Sequence, residues 1–347
     1  MKHVTIRNLS AACGLSVSTV SKALNGYSDI SDETRQTVLT AAAEMGYFPS
    51  AAARALKTSR SHNLGVLFAD ENRSGLTHPF FAALLNAFKT EAEAAGYDIT
   101  FISSNLGLSA MSYLSHCRYR NVDGVCLACV DFSSPAIIEL VESAIPCVTI
   151  DHVFNRWPSV LSDNVSGMRL LTDYVLSRGH RRIAYIHGQR NSTVADKRIT
   201  GFYRSLETHG VPAENAILRE GVYVDPQVSY QITSELLGMS NPPTCILLPD
   251  DHAYIGAMEA AVQRNLKIGR DISFAGFDGI SMTQSLHPRL TSVRQDTEAL
   301  GREAARRLIE CVEKPNTAGS EAVMIPCKLI RGETVGEVMS TAPARRP

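Results

Sequence analysis

Cys13-Gly14-Leu15-Ser16-Val17-Ser18-Thr19-Val20-Ser21-Lys22-Ala23-Leu24-Asn25 is the stretch that decides the architecture, with Val4-Thr5-Ile6-Arg7-Asn8-Leu9 leading into it. Ile6, Leu9 and Cys13 repeat at the spacing of one helical face, and Thr5 stands where an N-cap belongs. Gly14 supplies a sharp bend, and Ser16 can cap a second helix. With Val17 set at zero and about 100° per residue, Ser18, Ser21, Lys22 and Asn25 fall between about 40° and 140°. Thr19, Val20, Ala23 and Leu24 fall between about 200° and 340° and face the first helix. Asn25-Gly26 ends the second helix; Ser31 with Asp32 and Glu33 opens a third, whose inner stripe is Val38, Ala41, Ala42 and Met45 and whose stop is Gly46. Two short helices about a glycine, the second with a polar and cationic outer face, are the parts of a helix laid in a DNA groove. On periodicity alone, a small bundle with a solvated face is the competing reading.

The 347 residues exceed one ordinary core, and 44% hydrophobic with 20% charged residues describe a folded chain. The net charge of -1 conceals an asymmetry, because residues 1–60 carry seven Lys or Arg against four acids and so leave a basic head on an acidic remainder. No apolar run reaches the length of a bilayer span, and no secretory leader is legible. The expected location is therefore cytoplasmic, with the nucleoid. The 8 cysteines are scattered through apolar stretches as buried thiols of a reducing compartment. Cys126-Leu127-Ala128-Cys129 is formally a C-x-x-C, but it sits in an expected strand and has no second pair for zinc. His180 is expected to be structural.

Ser50-Ala51-Ala52-Ala53-Arg54-Ala55-Leu56-Lys57-Thr58 is alanine-rich and too short to hold a helix alone in water. From Leu64 onward, short apolar runs alternate with helical lengths. Strands are expected at Leu64–Ala69, Asp98–Ser103, Gly124–Val130, Pro146–Ile150, Val160–Ser162, Arg182–His187, Val222–Val224, Thr244–Leu248, Ser273–Phe277 and Ala322–Pro326. That pattern implies two doubly wound α/β lobes of parallel strands. Ligands of such sheets bind beyond the carboxyl ends of strands, where Phe80, Phe81, Asp131, Asp151, His152, Asp163, Asn164, Arg198, Tyr223, Asp250, Asp251, Asp278 and Gln295 fall. Acids, an arginine and aromatic faces suit a polyhydroxylated ring, although any one of these residues alone reads more readily as a cap or solvated loop residue than as a ligand contact.

Residues 4–58 resemble the DNA-binding head of the lactose/galactose repressor (LacI/GalR) family. The matching residues are Val4-Thr5-Ile6, Gly14-Leu15-Ser16, Thr19 through Asn25, Thr34-Arg35, Gly46-Tyr47 and Pro49-Ser50. Residues 62–332 resemble the family's periplasmic-binding-protein-like domain through Ser162-Asp163-Asn164, Gly179-His180-Arg181, Arg198, Pro249-Asp250-Asp251, Gly276-Phe277-Asp278 and Leu290 through Asp296. The resemblance implies a helix-turn-helix head at 1–48 and a hinge helix with linker at 49–61. It implies an effector-binding and dimerisation body at 62–340, with one lobe at about 62–162 and 292–326 and the other at about 163–291 and 327–340. It implies a transcriptional regulator, usually a repressor, that binds near-palindromic double-stranded DNA as a homodimer and answers to a small polar effector, in the first instance a carbohydrate. No apolar heptad after Gly332 supports a tetramer.

By that resemblance Val17, Ser18 and Lys22 reach base edges, with Thr5, Ser16, Ser21, Asn25 and Arg54 beside them, and Leu56 wedges into the minor groove. Phe80, Asp163, Arg198, Tyr223, Asp250, Asp278 and Gln295 line the effector site. One member of the family carries Asn where this chain has Asp250, which points to a more cationic or differently hydroxylated ligand. The loop Asp70 through His78 is longer than usual, so no particular sugar is implied. No cofactor, metal set or membrane partner is expected. An enzyme on the same scaffold is the first alternative, and the chain lacks G-x-x-x-x-G-K-[ST], G-x-G-x-x-G and G-x-S-x-G. A transporter's solute-binding protein is the second, and the head and absent leader oppose it.

Overall fold

The structure is a computed structural model that describes residues 4–48, 60–69, 75–107, 109–189 and 192–338. Arg54 and Leu56, and the expected hinge helix with them, lie outside the described residues. The chain divides into a unit at Met1–His62 and a unit at Asn63–Pro347.

The first unit is three helices, α1 (Ile6–Cys13), α2 (Val17–Leu24) and α3 (Asp32–Met45). Local sequence punctuates each. Thr5 and Asn8 form a reciprocal capping box at α1, while Ser16 and Ser31 accept from Thr19 N–H and Thr34 N–H at the starts of α2 and α3. Gly14 ends α1 at φ 66°, a left-handed turn that a Cβ would resist, and this sets the angle at which α2 departs. Leu9, Val20, Ala23, Val38 and Ala42 form the core, flanked by Ile6, Cys13, Leu24, Ala41 and Met45. Of the inward stripes read from helical spacing, Leu9, Val20, Ala23, Val38 and Ala42 are buried, Ile6, Cys13, Leu24, Ala41 and Met45 are partly buried against them, and Thr19 stays outside the cluster.

The second unit carries two six-stranded sheets, each with helices on both faces. Its first lobe contains β1 (Asn63–Phe68), α4 (Pro79–Ala94), β2 (Asp98–Ile102), a small hairpin of β3 (Asn105–Leu106) and β4 (Ser109–Ala110), α5 (Tyr113–Tyr119), β5 (Gly124–Ala128), α6 (Pro135–Glu142), β6 (Cys147–Ile150) and β7 (Ser159–Ser162). The second contains α7 (Asn164–Ser177), β8 (Ile183–His187), α8 (Thr193–Thr208), β9 (Ala216–Glu220), α9 (Pro226–Leu237), β10 (Cys245–Leu247), α10 (Ala253–Gln263), β11 (Ser273–Asp278), α11 (Ser281–Gln284) and β12 (Thr291–Arg294). The chain then returns for α12 (Thr297–Glu313) and β13 (Ala322–Ile325), and crosses once more into β14 (Lys328–Ile330). The sheet orders are β13-β7-β6-β5-β1-β2 and β14-β12-β11-β10-β8-β9. Only β14 runs antiparallel to its neighbour within these two sheets.

Strands buried on both faces read as unbroken apolar runs, as in β5, where every residue is buried. Leu84 and Phe88 of α4 and Leu300 and Leu308 of α12 close one face of the first sheet, and Leu114, Ile137 and Leu140 close the other. Met168, Leu171 and Phe202 pack on one face of the second sheet, with Tyr254 and Ala257 on the other.

Three expectations change. The strand expected at Val222–Val224 is instead Ala216–Glu220, and Val224 sits in a left-handed turn that no strand accommodates. Thr291–Arg294 pairs with β11, so the crossover back to the first lobe follows residue 294 rather than preceding 292. The strand expected to run to Val130 stops at Ala128, because Cys129 turns left-handed. Cys126 is therefore a buried strand thiol whose pKa burial pushes up to about 12, and it does not share an environment with Cys129. His180 is buried and bonded through Nδ1 to Thr244 Oγ1 at 2.9 Å. Among the described residues, no helix is long and apolar enough to cross a membrane.

Candidate functional site

On the head, α2 keeps Val17 and Ser18 exposed, Val17 by 41%. Tyr27, Leu39 and Phe48 of the same unit are exposed as well, so exposure alone does not mark Val17. Ser21 and Lys22 are partly buried on the same side, and Asn25 closes the helix with its Nδ2 donating to Ser21 O at 2.5 Å. Thr5 and Ser16 are exposed and already occupied as caps. The Lys22 ammonium forms an ion pair with Asp29 in the α2–α3 loop, which raises the lysine's pKa and lowers that of the aspartate. That pairing was not legible from helical spacing.

The body holds a cavity of about 320 Å³ between its lobes, within the usual size of a small-molecule site. The walls are the carboxyl ends of parallel strands. Ala69 follows β1, Cys129 through Ser133 follow β5, Ile150 through His152 end β6, Gln189 follows β8, and Asp278 ends β11. His78, Phe80 and Phe81 come from the start of α4, Thr193 and Arg198 from α8, and Gln295 from the crossover after β12.

Backbone strain concentrates here. Seven non-glycine residues among those described have positive φ, and four of them line the cavity: Cys129 at 52°, Asp151 at 57°, Val224 at 59° and Asp278 at 108°. Each costs about 1–3 kcal/mol relative to a relaxed backbone, and a β-branched valine is the least suited to it. Such conformations persist only where the surroundings enforce them, and they mark sites that hold something.

Arg198 is the centre of the polar wall, 4% exposed. Its Nε donates to Asn164 Oδ1 at 2.8 Å and its Nη1 to Pro249 O at 2.9 Å, and its face lies 3.6 Å from the Phe277 ring centre. Nη2 is 3.9 Å from Asp278 Oδ1, which also accepts from Gln295 Nε2 at 2.7 Å. Burial holds the Asp278 carboxyl well above the usual range despite Arg198 beside it, and burial likewise raises Asp151. Asp151 Oδ1 accepts from Ser162 N–H at 2.7 Å, while its carbonyl accepts from Thr193 Oγ1 across the lobes. Opposite stand flat apolar faces. His152 stacks on Phe132 with centroids 4.1 Å apart and planes 4° from parallel, and Phe81 meets both Phe80 and His78 edge-on at 5.0 Å.

Of the residues expected in the effector site, the cavity brings together Phe80, Arg198, Tyr223, Asp278 and Gln295. Asp163 and Asp250 are not in its lining. Asp163 caps α7 by accepting from Ser166 N–H at 3.0 Å. Asp250 accepts from Val224 N–H at 2.6 Å and from Ala253 N–H at 2.8 Å, so it enforces the strained turn that presents Tyr223. A contact expected from Asp250 is therefore a brace, and the cationic bias drawn from it loses that footing. Gly188 is the neighbour Tyr223 requires, since a Cβ there would lie 2.2 Å from the ring. His78, Phe132, Gln189 and Thr193 join the lining without having been singled out. Among the described residues no cluster of three His, Cys, Asp or Glu is placed to hold a metal.

Both units match models of one family. Residues 5–50 match the model of bacterial regulatory proteins of the lacI family, and residues 61–333 match that of periplasmic binding proteins and the sugar binding domain of the LacI family. The chain is 30% identical to the HTH-type transcriptional repressor PurR of Erwinia tasmaniensis over 88% of its length and 89% of that protein's. It is 32% identical to the ribose operon repressor of Halalkalibacterium halodurans over 95% of its length and 96% of that protein's. Among solved structures, the lac repressor dimer bound to operator and the anti-inducer ONPF superposes with a TM-score of 0.81 at 26% identity, covering 96% of this chain and 99% of that one. A capped helix-turn-helix, a two-lobed body with its cavity at the strand ends, and matches that run through both make this chain a member of the LacI family of transcriptional regulators.

Proposed function

We propose that α2 lies in the major groove of a near-palindromic operator, with Val17 and Ser18 against base edges and Lys22 donating to guanine O6/N7. Thr5, Ser16, Ser21 and Asn25 then position the helix on the backbone. Two copies of the chain read the two half-sites, because one such head buries too little surface for specific affinity. The cavity takes a small polar effector, a sugar or sugar derivative, through Arg198, Asp278 and Gln295, with Phe80 and Tyr223 as walls. Its occupancy sets operator affinity through the difference in its affinity for the two states of the body. A repressor of this kind works at the nucleoid, in the cytoplasm.

The observation that carries the reading is the pairing, in one chain, of a helix-turn-helix that matches the lacI-family regulatory model over residues 5–50 with a body that spends backbone strain on four cavity corners. The test is selection of a duplex from a randomised library, followed by gel shift with Lys22→Glu. Charge reversal should cost about a hundredfold or more in specific affinity and flatten its salt dependence. Unchanged affinity would refute the groove assignment.

A further inference from the structure

Two adjacent aspartates follow β10, Asp250 at 2% and Asp251 at 0% exposed, and neither is in the cavity lining. Both oxygens of Asp250 accept from backbone N–H groups, those of Val224 and Ala253. Asp251 works on the other side of the same junction. Its Oδ2 accepts from Ile280 N–H at 2.9 Å and from Thr283 Oγ1 at 2.7 Å, and its Oδ1 accepts from Ser292 Oγ at 2.5 Å. Ser292 Oγ in turn accepts from Gly279 N–H at 3.2 Å. The two N–H groups that follow Asp278 are thus both held, one by Asp251 itself and one through Ser292. Asp278 is the cavity corner at φ 108°. Gly276 leaves room for this arrangement, since a Cβ there would lie 2.6 Å from Asp251 Oδ1. One dipeptide therefore reaches two of the strained corners, Val224 beside Tyr223 through Asp250, and Asp278 through Asp251.

We propose that Asp250 and Asp251 are positioning residues of the effector site with divided labour. Asp250 sets the Tyr223 wall through Val224, Asp251 sets the Asp278 carboxyl through Ile280, Ser292 and Gly279, and neither touches the effector. This rests on the reading of the cavity as the effector site. The two aspartates differ in the donors they face. Asp250 faces two backbone N–H groups, whose hydrogens cannot turn away, so an amide in its place sets its own NH2 against one of them. Asp251 faces one N–H and two hydroxyls. An amide there keeps its oxygen toward Ile280 and Thr283 and donates to Ser292 Oγ, whose hydrogen rotates aside. The same change, Asp to Asn, thus spoils the corner served by residue 250 and spares the one served by residue 251.

The test uses the full chain as parent, Asp250→Asn, Asp251→Asn, Asp251→Ala and Ser292→Ala. Crystal structures read the corners, and calorimetry reads the affinity for D-ribose, D-glucose and D-galactose, with Thr193→Trp as the variant that fills the cavity. In Asp250→Asn, Val224 should leave positive φ and Tyr223 should shift, while Asp278 keeps its bond to Gln295. In Asp251→Ala and Ser292→Ala, Asp278 should leave positive φ and give up that bond, while Tyr223 stays. Asp251→Asn should keep both corners. A sugar that the parent binds should bind at least about tenfold more weakly in Asp250→Asn and Ser292→Ala, and within about threefold of the parent in Asp251→Asn. A purely structural role would lower the melting temperature and leave corner and affinity alone, and that result overturns the proposal. So does a displaced corner with unchanged affinity for a sugar that Thr193→Trp no longer binds. Affinity that survives Thr193→Trp overturns the cavity reading, and the effector role of both aspartates with it. Where no sugar binds, the structures decide: displaced corners uphold the division of labour, and unmoved ones end it. Should Asp251→Ala not fold, Ser292→Ala, which keeps the carboxylate, decides the polar corner.

Discussion

Lys22 and Arg198 are each paired with an aspartate, and the two pairs have little else in common. Lys22 and Asp29 sit on the head with side chains 43% and 54% exposed, while Arg198 and Asp278 sit in the body at 5% and 7%. Water and salt compete for the first pair, so it is exchangeable, and a passing phosphate can replace the aspartate. The second pair is out of reach of solvent, is tied to Asn164, Pro249 and Gln295, and is part of the framework. The head keeps its charge available to DNA, while the body locks its charge so that a ligand meets a fixed pattern.

The sharpest way to break this contrast is Arg198→Ala. Removing the guanidinium leaves Asp278 buried without its partner, and a loss of about 3–5 kcal/mol is expected in urea melts of the body. A loss below about 1 kcal/mol would mean that the buried pair is as dispensable as the exposed one.

The next test is of a buried carboxylate with no cation at all. Asp251 accepts from Ser292 Oγ, Thr283 Oγ1 and Ile280 N–H, yet burial still raises its pKa from the ordinary 3.8 to about 7. Between those values the folded protein holds a proton that the unfolded chain has released. Stability from this group is therefore full below about pH 4 and falls as pH rises toward 7, by up to about 1.4 kcal/mol per unit. Asp251→Asn should remove that slope, and equal slopes in variant and parent would discard the assignment. The smallest effect is expected at the surface. Asp29→Ala should leave the melting temperature within measurement error, while the salt slope of non-specific DNA binding steepens by about one unit as Lys22 is freed. Fluorescence anisotropy across a salt series checks this, and a destabilised head would place the pair with the framework instead.

How much of this could be read from the chain depends on how far the deciding information lies. Helix ends in the head are set within three residues, by Thr5 with Asn8, Ser16 with Thr19 and Ser31 with Thr34, so caps and stripes were legible. In the body, the strand-end rule located Asp131, Asp151, His152 and Asp278, because parallel sheets turn their carboxyl ends toward one crevice. The same rule misplaced Asp163 and Asp250. An aspartate between a strand and a helix suits a cap as well as a ligand contact, and nearby backbone N–H groups claimed both. Val222–Val224 has the alternation of a strand, and only Asp250, 26 residues away, shows why it turns. The lobe to which Thr291–Arg294 belongs is likewise settled by pairing with β11, not by its own composition.

The left-handed corner at Val224 carries a lesson for anyone hardening this fold against heat. Glycine would relax the backbone there and reward a screen for thermotolerance. It would also slacken the corner that sets Tyr223 against Gly188, so the vessel would grip its cargo less selectively. Endurance and discernment are traded against each other at that single peptide unit.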